Sequence, residues 1–480
     1  MNSAAKMVVA TPLSRMPHLI SDRSLVDAAD ALASYSKARF RSAYVPAGET
    51  IFMPKKGYGP RPVVVMGPES RTLYQSLVDR MAAALPAPSR AGRWSDHEVF
   101  GLSGGNSDTR IVDFDIAACY EYIDHRLLGE ELVIQTLDTD TVETLLALLV
   151  EFFPRMVGIP QAMEASDLIA DAYLGRLERS LTRSDYNLHR YADDFRIVAS
   201  NWGRAHEAIE VAVSFARTSG LVLADGKTHV RSISQVRAPI EERESLLARY
   251  RAEADDNLRS LDYVQVDYDD FEVVEIAPEP DEVDFEAHLR IVEDWVKSDR
   301  EQRSVHARFG SIALRVLQKS PDRVSDDWLL GIVERDPVRL PEIIAYLGAR
   351  DEAEENWSAL DRLTRMPRES PWSRLWVASL ADQLPDEDCA GQKAILSWAT
   401  NSLNDQHETV RAEVAWLLGG YEAISAKRVA ELFVGASDVT QIGLAATAGR
   451  LRKSGMTAIP TAIRTETTLT RAAFDWAADG

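Results

Sequence analysis

The chain has 480 residues, 45% of them hydrophobic and 27% charged, which is the composition of a globular protein and too much chain for one ordinary core. No apolar run reaches the roughly 18 residues of a membrane span, and residues 1–20 lack the apolar core of a signal peptide. The net charge of −21 argues against a surface that binds nucleic acid throughout, since phosphates attract basic groups.

The two cysteines, Cys119 and Cys389, match no disulfide or metal pattern, which predicts a reducing cytoplasm. The charge is unevenly distributed, because residues 241–300 alone carry −13. That acidic stretch indicates a solvated linker, with mimicry of a nucleic acid as the alternative. We therefore expect two or three domains, with a connecting segment in the acidic stretch.

As far as residue 240, the sequence alternates between helical and strand periodicity. Residues 1–48 have a helical apolar face, made of Leu25, Val26, Ala29, Leu32 and Ala33. The elements predicted after it are strands at 51–53 and 63–66, a helix at 71–85, a strand at 111–116, helices at 141–153 and after 160, a strand pair at 188–198, a helix at 203–218 and a strand at 221–223. This mixture predicts an α+β domain.

From about residue 285 onward, nearly every segment has helical spacing and ends at a short polar turn. The clearest segments are 308–317, 328–333, 375–384, 393–403 and 410–418. The sequence at 405–419 resembles a HEAT-type repeat, and an ordinary all-α domain is the alternative. The predicted domains are 1–240, an acidic connecting segment at 241–284, and a helical domain at 285–480.

The run Arg190-Tyr191-Ala192-Asp193-Asp194-Phe195 places two adjacent carboxylates in a predicted hairpin. Adjacent aspartates repel each other and are costly to bury, so they persist most readily where cations neutralise them. Mg²⁺ suits such oxygen ligands. A solvated Asp-Asp turn is the alternative.

A site with two metal ions about 4 Å apart needs carboxylates from different elements. Asp115, at the end of the predicted strand 111–116, is the best candidate for a third carboxylate. It could instead cap the helix that follows.

At this point a resemblance to a known family adds to the pattern. Residues 115–120, Asp-Ile-Ala-Ala-Cys-Tyr, resemble motif A of reverse transcriptases, especially those of group II introns and bacterial retroelements, and Arg190 to Phe195 resemble motif C. Residues 221–228 resemble motif D, and residues 158–161 resemble the start of motif B. Lys55-Lys56 with Arg61-Pro62 resemble the fingers motif. All five occur in the family's order, over about residues 45–235. The resemblance implies the fingers and palm of a right-hand polymerase, followed here by an all-α, HEAT-like domain.

The resemblance also implies roles for single residues. Asp115 and Asp193 would bind Mg²⁺, with Asp194 assisting and the carbonyl of Ile116 as a further ligand. Lys227 would neutralise or protonate the leaving pyrophosphate. Lys55, Lys56 and Arg61 would bind the triphosphate of the dNTP. Tyr120 would contact the sugar, and Gln161 would contact the nascent pair or template.

Motif B departs from the family pattern, because Ala162 replaces its second glycine and Ser166-Asp167 follows. This form, together with a helical C-terminal region, resembles the reverse transcriptases of abortive infection and antiphage defence. Some of those extend DNA without a template and prime on a protein hydroxyl. Candidate primers are Tyr250, Tyr263, Tyr268, Tyr346 and Tyr421.

The resemblance thus implies a polymerase of phage defence that does not associate with a membrane. Its partners would be dNTPs and a DNA product, which is covalently attached to the protein in the protein-primed case. Two alternatives stay open: an enzyme that copies a dedicated non-coding RNA, and a non-catalytic scaffold that recognises a protein. An RNA template and a homo-oligomer are further partners compatible with the sequence.

Overall fold

The structure is a computed structural model, and it describes residues 1–42, 45–55, 59–267, 270–297, 310, 312–318, 324–367 and 369–479. These residues form two compact units. The first unit consists of Met1–Phe52, Pro62–Ala238 and Thr400–Gly480, and the second of Met53–Arg61 and Pro239–Ala399. The predicted domain boundaries at 240 and 285 stay a prediction, whereas the compact units group residues 400–480 with the N-terminal region. Within the described residues, no helix has the length and apolar character needed to cross a bilayer.

The strands form hairpins and one larger antiparallel sheet. They are β1 (Gly48–Pro54), β2 (Pro60–Met66), β3 (Arg110–Asp115), β4 (Asn187–Tyr191), β5 (Asp194–Ala199), β6 (His229–Ser232), β7 (Ser260–Asp267) and β8 (Asp270–Ile276). The four-stranded sheet has the order β4-β5-β3-β6, and β1 pairs with β2 and β7 with β8.

The described helices before residue 233 all belong to the first unit. They are α1 (Asn2–Ala10), α2 (Ile20–Arg23), α3 (Ala29–Arg41), α4 (Pro68–Ala82), α5 (Trp94–Val99), α6 (Cys119–Tyr122), α7 (His125–Thr136), α8 (Thr139–Phe152), α9 (Glu164–Arg183) and α10 (Trp202–Thr218). The helices from residue 233 to the C-terminus are α11 (Ile233–Leu258), α12 (Pro280–Lys297), α13 (Asp326–Arg335), α14 (Leu340–Gly348), α15 (Ala353–Thr364), α16 (Pro371–Ala381), α17 (Ala390–Ser402), α18 (Glu408–Gly420), α19 (Ala426–Val434), α20 (Gln441–Lys453), α21 (Thr461–Thr465) and α22 (Thr468–Asp479).

Most side chains of the two central strands of the four-stranded sheet, β3 and β5, are buried. In β3 and β5, Phe114 lies opposite Phe195, and the two rings stack at 4.9 Å. Ile111 and Ile197 are fully buried as well. Helix α10 packs against both strands, and α9 packs against the neighbouring strand β4. The apolar centre of the sheet fixes the strand register, which determines where the carboxylates at the strand ends lie.

Two predicted elements differ from the structure. The helix predicted from residue 71 begins at Pro68, because proline suits the first turn of a helix. The strand predicted at 221–223 is only an isolated bridge between Ile116 and Leu223, and the chain then turns into a 3-10 helix, Asp225–Lys227. The fourth strand of the sheet is β6, which the sequence analysis missed.

The N-terminal and C-terminal helices of the first unit share one hydrophobic core. Its buried members are Ala5, Val9, Ile20, Leu25, Ala29, Leu32, Ala33, Trp416, Ile442, Ala446, Leu469, Ala473 and Ala477. The apolar face predicted near residue 29 therefore packs against helices more than 370 residues later, although Val26 from that face is 46% exposed. Trp416 lies between two guanidinium groups, with Arg23 at 5.5 Å and Arg450 at 4.2 Å from its ring centroid.

Two carboxylates, one partly buried and one buried, strengthen the same association. Glu49 in β1 accepts hydrogen bonds from the backbone amides of Glu408 and Thr409, at 2.8 and 3.0 Å. Glu413 accepts one from the amide of Ile20 at 2.7 Å. The first two contacts satisfy the otherwise unpaired amides at the start of α18, where the helix dipole favours negative charge.

Most described residues of the acidic stretch, for which the composition indicated a solvated linker, lie in helices and strands. These elements are α11, the strands β7 and β8, and α12. In α11, Val236, Tyr250 and Ala254 are buried at helical spacing. A narrow apolar stripe is enough to position a helix whose other positions are charged.

Glu69 in α4 provides a pH test of the fold. It is 2% exposed, and burial raises the pKa of its carboxyl to about 7. The folded state therefore keeps the proton up to about pH 7, whereas the unfolded chain loses it near pH 4.5. Since the folded state binds more protons between these values, the free energy of unfolding falls as the pH rises through this window.

We expect Glu69→Gln to remove this loss, because the amide stays neutral at every pH. Its advantage over the wild type should grow by about 2–3 kcal/mol between pH 5 and pH 8, measured by urea unfolding. The control is Glu151→Gln, at an exposed position of α8. Equal pH dependence in Glu69→Gln and the wild type would contradict the prediction.

Candidate active site

Three carboxylates meet at one end of the central strand pair. The antiparallel register places Asp115, the last residue of β3, opposite Asp194, the first residue of β5. Asp193 lies in the two-residue turn that precedes β5, and its carbonyl accepts a hydrogen bond from the amide of Ile116 at 3.3 Å. The two sequence motifs, 78 positions apart, thus converge on one point of the sheet.

The carboxylates are held in an unfavourable environment. Asp115 is 4% exposed. Burial, followed by the negative charges of Asp193 and Asp113, raises the pKa of Asp194 to about 6. Like charges so close together in a partly desolvated site require compensating cations.

Lys227 supplies one such cation. The amide of Ala224 donates a hydrogen bond to the carbonyl of Asp115 at 2.8 Å, which anchors the start of the 3-10 helix Asp225–Lys227 beside the strand end. From this helix the Lys227 ammonium forms an ion pair with Asp115 Oδ2. The lysine that was predicted from motif D therefore lies on the carboxylate predicted from motif A.

The donor set fits a hard divalent cation. Asp115 Oδ1 is buried and has no hydrogen-bond partner, while its other oxygen contacts Lys227. Asp193 and Asp194 add carboxylate oxygens at the same strand end, which is the ligand chemistry that Mg²⁺ prefers. Across the described parts of the chain, no three His, Cys, Asp or Glu side chains already form a metal-binding group. At this site, Asp115 Oδ2 forms an ion pair with the Lys227 ammonium.

A buried network holds the turn that carries Asp193. The Ser89 hydroxyl accepts a hydrogen bond from the amide of Ala192 at 2.8 Å and donates one to Asp171 at 2.7 Å. Arg190 forms an ion pair with Asp171 and donates to the carbonyl of Ala192 at 3.0 Å. The backbone of the turn is therefore fixed from both sides, so Asp193 has little freedom to move away from the strand end.

Three alanines around the site have left-handed backbone conformations. They are Ala118 after Asp115, Ala162 after Gln161, and Ala192 before Asp193, with φ of 47°, 66° and 54°. Such conformations cost a residue with a Cβ about 1 kcal/mol or more. Ala162 therefore adopts the kind of backbone that glycine favours, at the position where the sequence departs from the motif B pattern.

Tyr120 and Gln161 make specific polar contacts. The Tyr120 hydroxyl donates a hydrogen bond to Asp167 on α9. Burial and then the charge of Asp167 raise the pKa of Tyr120, so the hydroxyl stays protonated at neutral pH. Gln161 is buried, and its amide nitrogen donates to the carbonyl of Pro62 at 3.0 Å, which ties the segment before α9 to β2.

Two of the cations predicted in the fingers motif lie near the end of the β1–β2 hairpin. Lys55 follows β1 and Arg61 lies in β2, and both are exposed. The third, Lys56, lies outside the described residues.

Ser89, Arg90 and Asp171 were not predicted to be site residues, and Asp167 was predicted only to be part of the departure from motif B. A signal was present for the aspartates, because Asp167 and Asp171 are four residues apart and so share one face of α9. Ser89 and Arg90 belong to a one-turn 3-10 helix in a proline-rich loop, with no local pattern that marks them.

A small, partly open cleft lies beside Asp193. Its polar lining consists of Arg90, Tyr120, Asp167, Asp171 and Asp193. Arg90 donates to Asp167 Oδ2 at 3.0 Å. The cleft therefore joins Tyr120, the candidate sugar contact, to Asp193, a candidate metal ligand.

The chain is similar to a known protein family and, at low sequence identity, to solved structures. The family model described as "Reverse transcriptase (RNA-dependent DNA polymerase)" matches residues 53–298, more than half of the chain. Telomerase from Candida albicans, solved with a TWJ fragment of telomeric RNA, is 10% identical with a TM-score of 0.30, over 81% of this chain and 67% of that chain. Telomerase from Candida tropicalis, solved with the same kind of fragment, is 10% identical with a TM-score of 0.28, over 82% and 68%. No curated protein matches significantly.

We expect Lys227→Ala to destabilise the metal-free protein and to increase its response to Mg²⁺. The mutation leaves the Asp115 carboxylate buried without its cation, which should lower the free energy of unfolding by about 1–2 kcal/mol. Added Mg²⁺ should then raise the melting temperature more in the variant than in the wild type, because binding to the folded state stabilises it.

The control is Lys393→Ala, which removes a lysine paired with the exposed Asp388 at 2.9 Å. It should respond to Mg²⁺ like the wild type. A Lys227→Ala protein with unchanged stability and an unchanged Mg²⁺ response would show that neither cation is needed at Asp115.

Proposed function

The chain belongs to the reverse transcriptase (RNA-dependent DNA polymerase) family, and on that premise we propose that it synthesises DNA in bacterial defence against phage. Membership makes it an RNA-directed DNA polymerase of a family that uses dNTPs, an RNA template and divalent metal ions. The observation that carries the proposal is the meeting of Asp115, Asp193 and Asp194 at one strand end, with a buried, unpaired oxygen on Asp115.

In this proposal Asp115, Asp193 and Asp194 hold two Mg²⁺ ions, together with the carbonyl of Ile116. When bound, the ions lower the pKa of the attacking 3′-hydroxyl and stabilise the leaving pyrophosphate. The fixed turn of Asp193 keeps the carboxylates in position before the ions arrive, which lowers the cost of assembling the site.

The cationic and aromatic side chains are assigned to the nucleotide. Lys55, Lys56 and Arg61 bind the triphosphate, since cations on a hairpin end can close over an anionic substrate. Lys227 Nζ donates a proton or a hydrogen bond to the pyrophosphate. The remaining contacts are the Tyr120 ring against the sugar, where it excludes a ribose 2′-hydroxyl, and Gln161 near the nascent base pair.

The role in defence is supported by motif B and by the helical second unit. Ala162 replaces the motif B glycine and has a φ of 66°. In the second unit, α12 packs on α13, α13 on α15, and α14 on α16, an alternating pattern expected of stacked helical repeats. We propose on this basis that these helices are HEAT-like and that the enzyme acts in the cytoplasm during abortive infection.

Template-independent, protein-primed synthesis is the most specific form of the proposal. The candidate priming tyrosines differ in how deeply they are buried, and a buried hydroxyl is a poorer primer than an accessible one. Tyr250 is buried and its hydroxyl donates to Asp294 at 2.5 Å. Tyr346 is fully buried and its hydroxyl accepts from the amide of Val324. Tyr421 is only partly buried. The side chains of Tyr263 and Tyr268 lie outside the described residues.

We expect Asp193→Asn to reduce the incorporation of labelled dNTPs by at least about 100-fold, because a carboxylate that holds the metal supplies several kcal/mol of transition-state stabilisation. The matched control is Asp185→Asn, at an exposed position eight residues earlier, which should keep wild-type activity. Both proteins should be folded by circular dichroism. Retained synthesis in Asp193→Asn would contradict the assignment of the site.

The same assay distinguishes the forms of synthesis. Protein priming predicts a dNTP-dependent increase in protein mass, resistant to RNase, with label that leaves the protein fraction only after protease treatment. Synthesis that RNase abolishes, together with a structured RNA that copurifies, would instead support copying of a dedicated non-coding RNA.

In cells, we expect Asp193→Asn to lose protection against phage while Asp185→Asn keeps it, measured by plaque formation on a host that expresses the chain. The reason is that protection requires the polymerised product. Protection retained by Asp193→Asn would support the alternative of a non-catalytic protein-recognition scaffold.

A further inference from the structure

Asp167 connects the candidate sugar contact to the charged groups around the carboxylates. One of its oxygens accepts the hydrogen bond from the Tyr120 hydroxyl. The other accepts a hydrogen bond from Arg90 at 3.0 Å. The three side chains come from separate elements, namely α6, α9 and the 3-10 helix Ser89–Ala91, and all three line the cleft beside Asp193.

These two contacts determine the state of the tyrosine. A hydroxyl that donates to a carboxylate forms a charge-assisted hydrogen bond, about twice as strong as a neutral one. Arg90 donates to the second oxygen of Asp167, and the carboxylate can only accept from both partners. The Tyr120 hydroxyl is therefore kept as a donor pointing at α9, and its ring cannot swing away without breaking this bond.

We propose that Asp167 is a positioning residue that sets the choice between deoxyribonucleotides and ribonucleotides. This inference rests on the proposed function, in which the Tyr120 ring lies against the sugar of the incoming nucleotide. The ring excludes a 2′-hydroxyl only if it stays in place, and Asp167 holds it there. Arg90 in turn holds Asp167, so sugar selection depends on the whole chain of contacts and not on the ring alone.

Without its hydrogen bond to Asp167, the Tyr120 ring would still occupy the site, but it would move aside for a ribose. Fixing a side chain in one geometry is the usual way in which a second layer of residues sharpens a binding site. Removing the restraint should therefore raise the incorporation of ribonucleotides relative to deoxyribonucleotides.

The experiment measures kcat/KM for dATP and for ATP with the full-length chain and Mg²⁺. The readout is the ratio of the two values within one preparation, which partial misfolding does not change because it lowers both equally. We expect Asp167→Ala to lower the preference for dATP about tenfold and Asp167→Asn to lower it less, since the amide oxygen still accepts from Tyr120.

A double-mutant cycle separates positioning from general structural support. Tyr120→Phe keeps the ring but removes the hydroxyl, so it should lower the preference as Asp167→Ala does. The double variant should lower it no further than either single variant, because both remove the same bond. Arg90→Ala should lower the preference in the same direction.

The matched control is Asp138→Ala, which removes an aspartate paired with Arg80 at 3.1 Å, at the start of α8. It should keep the wild-type ratio. An unchanged ratio in both Asp167 variants, or additive effects in the cycle, would overturn the inference. A wild-type chain that incorporates no dATP would instead overturn the proposed function, so the two failures are distinguishable.

Discussion

The repulsion between carboxylates at the end of β3 and β5 is the constraint on which the site depends. The sheet register places Asp115 opposite Asp194, and Asp193 precedes it in the turn. The cost is visible in Asp194, whose pKa burial and neighbouring charges raise to about 6. A fold accepts this arrangement only if the surrounding structure holds the groups together, and here the apolar pair of Phe114 and Phe195 fixes the register.

The compensating groups come from every element around the strand end. Lys227 pairs with Asp115, and the charges of Arg90 and Arg196 oppose the upward shift in the pKa of Asp194. Arg190 and Asp171 hold the turn without contributing to its net charge, because they neutralise each other. The left-handed alanines belong to the same compromise, since a tight backbone around the site is retained despite its conformational cost.

Some site residues could be predicted from the sequence immediately around them. Asp115, Asp193 and Asp194 follow or precede short apolar runs, so their positions at strand ends and turns were predictable. Lys227 was predicted from the resemblance to motif D instead. Asp167 and Ser89 were not recognised as parts of the site, because their partners are 47 and 82 or more residues away and no periodicity records such contacts. The packing of α3 against the last helices was equally invisible, since both faces look like ordinary amphipathic helices.

The shared core of the two chain ends has a consequence for how the protein is made. Synthesis proceeds from the N-terminus, and domains generally fold as they emerge. Here α1 to α3 lack part of their core until α18 to α22 have been translated. The unit that holds the carboxylates is therefore completed only after α22 has been translated, and closing contacts over so long a loop slows folding. This topology delays the assembly of the carboxylate site relative to the translation of the strands that carry it.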